Sequence, residues 1–235
     1  MGNTPGAASK GTADMAMALL LAGARRIAEI DRWTRAGNWE HDLSTMDLVG
    51  QEVHESTLGI VGLGQIGAEM AKRAKGFDMK VLYYSRSRKP ELEQELGVAW
   101  VGDLKTLLEE SDFVSLHVRM TDETRHMIGA RELGMMKKTA ILVNSSRGPV
   151  VDQQALCKSL ESGEITGAAL DVMEVEPIPP DDPILKLENV VLSPHLGTDT
   201  EGTRLKVSMT AARNLLAGLS GEPLPLCVNP QVYGS

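Results

Sequence analysis

The chain has 235 residues, of which 42% are hydrophobic and 24% are charged, and its formal net charge is −8. This composition is typical of a globular protein with a substantial core, and the negative charge argues against a general role in binding nucleic acid or an anionic membrane. The two cysteines, Cys157 and Cys227, do not make a disulfide framework, and the five histidines lack metal-ligand spacing, so no metal site is expected.

The first apolar segment, residues 15–24, resembles the hydrophobic part of a secretory leader. Arg25-Arg26 interrupts it, however, and the apolar pattern continues beyond this pair at helical spacing. The segment is also too short to cross a membrane. We therefore predict a cytoplasmic protein in which a buried helix runs from a cap at Ser9 or Thr12 to about Ala36.

The rest of the chain alternates short apolar strands with helices. The predicted strands are residues 57–61, 80–84, 98–100, 112–116, 140–144, 167–171 and 190–192. The predicted helices are residues 65–75, 91–96, 104–110, 153–160 and 199–217. Such alternation implies an α/β fold with a doubly wound parallel sheet of the Rossmann type.

The first predicted strand leads into a G-x-G-x-x-G sequence, residues 62–67, that opens a helix. Within a strand–turn–helix–strand unit of about 30 residues, this sequence is typical of a dinucleotide-binding turn. Its glycines let backbone N–H groups approach the pyrophosphate, and the helix N-terminus favours the negative charge. An ordinary tight turn is the alternative. The predicted cofactor-binding residues of this turn are Gly62, Gly64, Gln65, Ile66 and Gly67.

The residue that ends the second predicted strand faces the adenosine ribose and favours one dinucleotide over the other. An acid there accepts a hydrogen bond from the 2′-hydroxyl and repels a 2′-phosphate. This chain has Ser85, followed by Arg86, Ser87 and Arg88. The serine leaves room for a phosphate and either arginine can pair with it, although both could be solvated surface residues. The sequence therefore predicts NADP(H) rather than NAD(H).

Three polar segments, residues 144–148, 171–177 and 193–198, each lie where a predicted strand ends. Ligands of open α/β sheets bind outside the carboxyl ends of the strands. Arg147, Glu176 and His195 could therefore converge on one site. Each of them alone is more often an arginine in a turn, a loop carboxylate or a helix-capping histidine.

Together these motifs resemble the D-isomer-specific 2-hydroxyacid dehydrogenase family, most of all its glyoxylate/hydroxypyruvate reductase branch. The matching segments are residues 59–67, 144–152, 167–177, 194–198 and 214–223. The resemblance implies an oxidoreductase that transfers a hydride from NADPH to a small 2-oxo acid, giving the D-2-hydroxy acid. Glyoxylate, hydroxypyruvate and 2-ketogluconate are the expected substrates. The alternative is a non-catalytic NADP(H)-binding module that pairs with or regulates a full-length partner.

The resemblance also implies roles for individual residues. His195 matches the general acid, Glu176 its partner carboxylate and Arg147 the arginine that binds the substrate. Asp171 matches the residue near the nicotinamide carboxamide, and Gly197 lies beside it. The other expected cofactor-binding residues are Ser145, Arg119, Arg147 and His195. Arg119 stands where many relatives have a proline, which alters a loop along the cofactor.

The resemblance further implies a domain arrangement. Residues 1–6 would be a remnant of a substrate domain and its crossover, residues 7–198 the dinucleotide-binding domain, and residues 199–235 a helix and tail that return toward a substrate domain whose first part is missing. Relatives are homodimers, so a second copy is expected to cover the apolar segment 10–50. The alternative is that this segment packs on its own sheet.

Overall fold

The computed structural model describes residues 1–39 and 48–233. His41, part of the segment 10–50 and the last two residues of the predicted tail therefore lie outside the described residues. Across the described ranges, no helix is long and apolar enough to cross a membrane. In the same ranges, no group of three or more His, Cys, Asp or Glu side chains could hold a metal ion.

The described part of the chain contains a sheet of seven parallel strands. The strands are β1 Thr57–Val61, β2 Lys80–Tyr84, β3 Ala99–Trp100, β4 Phe113–Leu116, β5 Ile141–Asn144, β6 Gly167–Leu170 and β7 Val190–Leu192. Their order is β3-β2-β1-β4-β5-β6-β7, so the direction of winding reverses between β1 and β4. The predicted doubly wound parallel sheet is confirmed, and the reversal marks where a ligand binds in such folds.

Eight α-helices lie in the described ranges. They are α1 Ser9–Ala24, α2 Ile27–Arg35, α3 Gln65–Lys75, α4 Pro90–Leu96, α5 Leu104–Glu110, α6 Ala130–Leu133, α7 Gln153–Glu161 and α8 Glu201–Leu219. Short 3₁₀ helices span Gly148–Val150, Pro183–Lys186 and Pro230–Tyr233. The sequence did not predict α6 or the 3₁₀ helices, because three or four residues are too few to show a helical pattern.

The prediction of one long helix before the sheet was wrong. The helix ends at Ala24, Arg26 adopts a left-handed conformation with φ 52°, and a second helix begins at Ile27. Six apolar residues of α1 are buried, the last of them Ala24, whereas none of the residues 27–35 of α2 is buried. The break therefore falls where the chain leaves the core, and the two arginines mark that point.

The core lies on both faces of the sheet. All residues of β4, β5 and β6 are buried, as expected for inner parallel strands covered by helices on two sides. The buried apolar residues of α1, including Leu19 and Leu20 at 4% and 0% exposure, lie within this core. The chain's own sheet therefore accounts for their burial, and the homodimer stays a prediction.

The two ends of the chain contact each other beside α8. Asn214, buried in α8, donates from Nδ2 to the carbonyl of Asn3 at 3.0 Å and accepts at Oδ1 from the N–H of Leu226 at 3.0 Å. Gly2 and Cys227 form an antiparallel bridge. The first residues are thus tied to the segment that follows α8.

Candidate active site

The glycine turn joins β1 to α3. Gly62 has φ +99°, and a Cβ there would lie 2.8 Å from the carbonyl oxygen of His117. A Cβ on Gly67 would clash with the carbonyl of Gly62, so both positions require glycine. At Gly64, by contrast, a Cβ would meet nothing within 4 Å. Open space therefore lies beside the N-terminus of α3, as a pyrophosphate-binding turn requires.

A cleft of about 630 Å³ lies at the carboxyl edge of the sheet, next to this turn. It brings together nine of the predicted site residues: Gly64, Gln65, Ile66, Arg119, Ser145, Arg147, Asp171, His195 and Gly197. The other predicted residues, Gly62, Gly67, Ser85, Arg86, Ser87, Arg88 and Glu176, do not line it. Ser9 and Thr12 of α1 line the cleft as well and were not predicted as site residues.

His195 and Glu176 form a hydrogen-bonded pair at the cleft. Nδ1 of His195 lies 2.7 Å from Oε2 of Glu176, and Oε1 of the same carboxylate accepts from the N–H of Met173 at 2.9 Å. Partial burial raises the pKa of Glu176, but these hydrogen bonds and the charge of Arg147 outweigh it, so the pKa is lowered overall. An ionised carboxylate only accepts hydrogen bonds, so Nδ1 of His195 donates and Nε2 stays available.

Asp171 fixes the loop that carries His195. Its side chain is 2% exposed, and its two oxygens accept from the N–H groups of Leu196 at 2.8 Å and Gly197 at 2.7 Å. His195 itself has a left-handed backbone with φ 57°, a conformation that needs such support. Asp171 therefore positions His195 as well as lining the cleft.

The turn after β5 presents Arg147. Asn144 holds this turn, since its Nδ2 donates to the carbonyl of Arg147 at 3.0 Å and its Oδ1 accepts from the N–H of Ser146 at 3.0 Å. Gly148 packs so closely on the backbone of Met173 that a Cβ would not fit. The exposed guanidinium of Arg147 thus lies at the cleft on a turn packed against the Glu176 loop.

The end of β2 lies beside the glycine turn, because the N–H of Gly62 donates to the carbonyl of Tyr84 at 2.8 Å. Arg88 is already engaged there: its Nε and Nη2 donate to the carboxylate of Glu93 at 3.0 and 2.8 Å. Its guanidinium also lies 5.7 Å from the ring centroid of Trp100. Arg86 is exposed and makes no hydrogen bond or ion pair with any described residue. The two predicted arginines thus differ in availability.

His117 lines the cleft and was not predicted as a site residue. It follows β4 directly, and its Nε2 lies 2.9 Å from Oγ of Ser115. Burial lowers its pKa to about 4, so the ring is neutral at pH 7. Its position after a strand is the same signal that pointed to the segments containing Arg147 and His195.

Comparison with known proteins assigns the chain to a family. The D-isomer specific 2-hydroxyacid dehydrogenase NAD binding domain matches residues 17–197. A glyoxylate reductase of Korarchaeum cryptofilum is 56% identical over 230 residues, which cover 98% of this chain and 69% of that protein. A glyoxylate reductase of Thermococcus litoralis is 52% identical, over 99% of this chain and 71% of that protein. The crystal structure of the TT0316 protein from Thermus thermophilus has a TM-score of 0.91 at 41% identity, over 97% of this chain and 70% of that chain.

Proposed function

This chain belongs to the D-isomer specific 2-hydroxyacid dehydrogenase family, and from that membership we propose that it reduces glyoxylate and hydroxypyruvate with NADPH, and 2-ketogluconate as a related substrate. Its relatives named glyoxylate reductase support NAD(P)-dependent reduction of 2-oxo acids. The observation that carries the proposal is the His195–Glu176 pair, placed at a cleft that also contains Arg147 and the glycine turn.

The residues of the cleft fit a nicotinamide dinucleotide. The open space beside Gly64 and the N-terminus of α3 can hold a pyrophosphate, and Gln65, Ile66, Ser145 and Asp171 continue along the same cleft. When bound, the reduced nicotinamide supplies a hydride to the carbonyl carbon of the substrate. The preference for NADPH is supported by Ser85 and by an arginine, Arg86, that is available to pair with a 2′-phosphate.

The remaining chemistry falls to the side chains around the cleft. Arg147 can bind the substrate carboxylate through two parallel hydrogen bonds and polarise the adjacent carbonyl. His195, protonated, donates a proton from Nε2 to the carbonyl oxygen, which becomes the hydroxyl of the product. Glu176 accepts from Nδ1 and so stabilises the imidazolium before the transfer.

The test is oxidation of NADPH by the purified chain with glyoxylate, hydroxypyruvate and 2-ketogluconate, together with calorimetric titration of NADPH. His195→Ala should lower turnover by about 10²–10⁴-fold, the usual contribution of a general acid, and should still bind NADPH. Arg147→Ala should mainly raise the KM for the oxo acid. His54→Ala, at an exposed histidine away from the cleft, is the matched control and should turn over normally.

Two outcomes would contradict the proposal in different ways. An unchanged rate in His195→Ala would remove this residue from the chemistry. Tight binding of NADPH by the wild-type chain without turnover of any oxo acid would instead favour the non-catalytic NADP(H)-binding module.

A further inference from the structure

The loop that follows β6, residues 171–177, holds two histidines through two glutamates. His195 pairs with Glu176 at the cleft, and Nε2 of His126 lies 2.7 Å from Oε1 of Glu174. His126 does not line the cleft. The second pair therefore lies outside the cleft, but it contacts the same loop.

The backbone of His126 is fixed to the turn that carries Arg147. Its N–H donates to the carbonyl of Pro149 at 2.8 Å, and the next segment continues this contact as a parallel bridge between Ile128 and Val151. His126 has φ 50°, a left-handed conformation that costs free energy for any residue other than glycine. Strain of this kind persists where the surrounding contacts hold the residue in place.

The side chain of His126 reaches Glu174, which is itself held on two further sides. Oε2 of Glu174 accepts from the N–H of Gln153 at 3.2 Å, and the N–H of Glu174 donates to Oε1 of Gln153 at 3.0 Å. The preceding residue, Met173, donates its N–H to Glu176. A shift of Glu174 would therefore move the N–H of Met173, the group that orients the carboxylate of Glu176.

We propose that His126 is a positioning residue: through Glu174 it holds the Glu176 loop at a fixed distance from the Arg147 turn. The inference rests on the proposed function, in which Arg147 binds one end of a 2-oxo acid while the His195–Glu176 pair protonates the other. Arg147 and His195 must contact so small a substrate at the same time. A misplacement of 1 Å can lower the rate about 10²-fold.

Substitutions at His126 test whether its hydrogen bond to Glu174, rather than the bulk of its side chain, supports catalysis. Glutamine places an amide N–H near the position of Nε2 and keeps the bond to Glu174, whereas asparagine is too short and alanine has no donor. His126→Ala should lower kcat roughly tenfold, within the limit set by a 1 Å misplacement. The KM for the oxo acid and the Kd for NADPH should stay unchanged, since the backbone bond to Pro149 remains. His126→Gln should restore most of kcat, and His126→Asn should not.

A second readout needs neither cofactor nor turnover. The NMR signal of the proton on Nδ1 of His195 reports the hydrogen bond to Glu176. It should shift in His126→Ala and in His126→Asn, and it should return to the wild-type position in His126→Gln. In a double-mutant cycle, Glu174→Ala combined with His126→Ala should be no worse than Glu174→Ala alone, because both remove the same contact.

The outcomes distinguish this proposal from the proposed function. A wild-type chain without turnover, whose His195 signal nevertheless responds to His126 as described, supports the positioning role and contradicts the function. An unchanged His195 signal in His126→Ala overturns the positioning role whatever the activity. Equal loss of kcat in the glutamine and alanine variants, or additive effects in the cycle, would overturn it as well.

Discussion

Protonation of His117 is expected to couple the stability of the ligand-free chain to pH. The side chain is partly buried at the carboxyl end of β4, its Nε2 is bonded to Ser115, and its buried Nδ1 has no partner among the described residues. Desolvation of the charged form lowers the pKa of His117 from 6.5 to about 4. An imidazolium formed there would be a partly buried cation, and no carboxylate is hydrogen-bonded to the ring.

The sign of the effect follows from where the proton binds. Between about pH 6.5 and pH 4 the unfolded chain is protonated at this residue and the folded chain is not, so the free energy of unfolding falls as the pH is lowered. The contribution of His117 is fully present above about pH 6.5 and is lost on the way to about pH 4. It amounts to about 3 kcal/mol in total, of which about 2 kcal/mol is lost between pH 7 and pH 5.

Urea unfolding of the wild-type chain and of His117→Gln, measured at about pH 7, 6 and 5, tests this expectation. Glutamine does not titrate and keeps an amide near the position of Nε2, so the contact with Ser115 survives. Both proteins contain the same carboxylates, so the titration of these groups cancels in the comparison. The difference between the pH dependences of their unfolding free energies then reports His117 alone. The wild-type chain should lose about 2 kcal/mol more than the variant between pH 7 and pH 5. Parallel curves would refute the burial argument.

Four further predictions concern cofactor preference, the carboxylate of Glu176, two buried serine hydroxyls and the homodimer. Arg86→Ala should weaken NADPH binding about tenfold or more without changing NADH binding, because a charged hydrogen bond is lost. Arg88→Ala should weaken NADPH binding less, because Arg88 is already bonded to the carboxylate of Glu93 on α4. Equal affinities of the wild-type chain for NADPH and NADH would contradict the predicted preference. Glu176→Gln should move the pH optimum of reduction downward, because an imidazolium without its carboxylate is less favoured, and an unmoved optimum would argue against the pairing. Ser145→Ala and Ser159→Ala each remove a buried hydroxyl that has no partner among the described residues, so both should keep or raise the Tm. Only Ser145→Ala, at the cleft, should also weaken NADPH binding. Analytical ultracentrifugation should show the predicted homodimer at micromolar concentration, and a monodisperse monomer would contradict it.

The sheet and the glycine turn were predictable because their signals are local. Each strand is a short apolar run between turn residues, and the sequence around Gly62 specifies its own backbone conformation. The break at Arg26 was not predictable in the same way, since the helical spacing of apolar residues continues through it and only the structure shows that burial stops at Ala24.

Side-chain partners at the site were harder to foresee because the tertiary fold creates them. The sequence separates His126 from Glu174 by 48 positions, and only the packing of two loops brings them together. The contact that distinguishes Arg88 from Arg86 is closer in the sequence, because Glu93 lies five positions after Arg88 on α4, but the residue types alone do not show which arginine it engages. Residue type and strand-end position were enough to select candidates. They were not enough to rank them.

In the proposed function, location distinguishes the histidine–glutamate pair that carries out the chemistry from a second, similar pair. His195–Glu176 and His126–Glu174 have the same separation of 2.7 Å, and their histidine side chains are 48% and 40% exposed. Both glutamates lie on one loop, two positions apart. Only His195, however, lies at the cleft, where Asp171 supports its loop and its Nε2 stays available for a substrate. In the two proposals, a histidine–glutamate pair thus serves proton transfer at the cleft, where Nδ1 of His195 is the bonded atom, and positioning outside it, where Nε2 of His126 is bonded. A comparison of kcat in His195→Gln and His126→Gln tests this directly. Glutamine can donate a hydrogen bond but cannot transfer a proton as imidazole does. The His195 variant should therefore lose turnover, and the His126 variant should keep most of it.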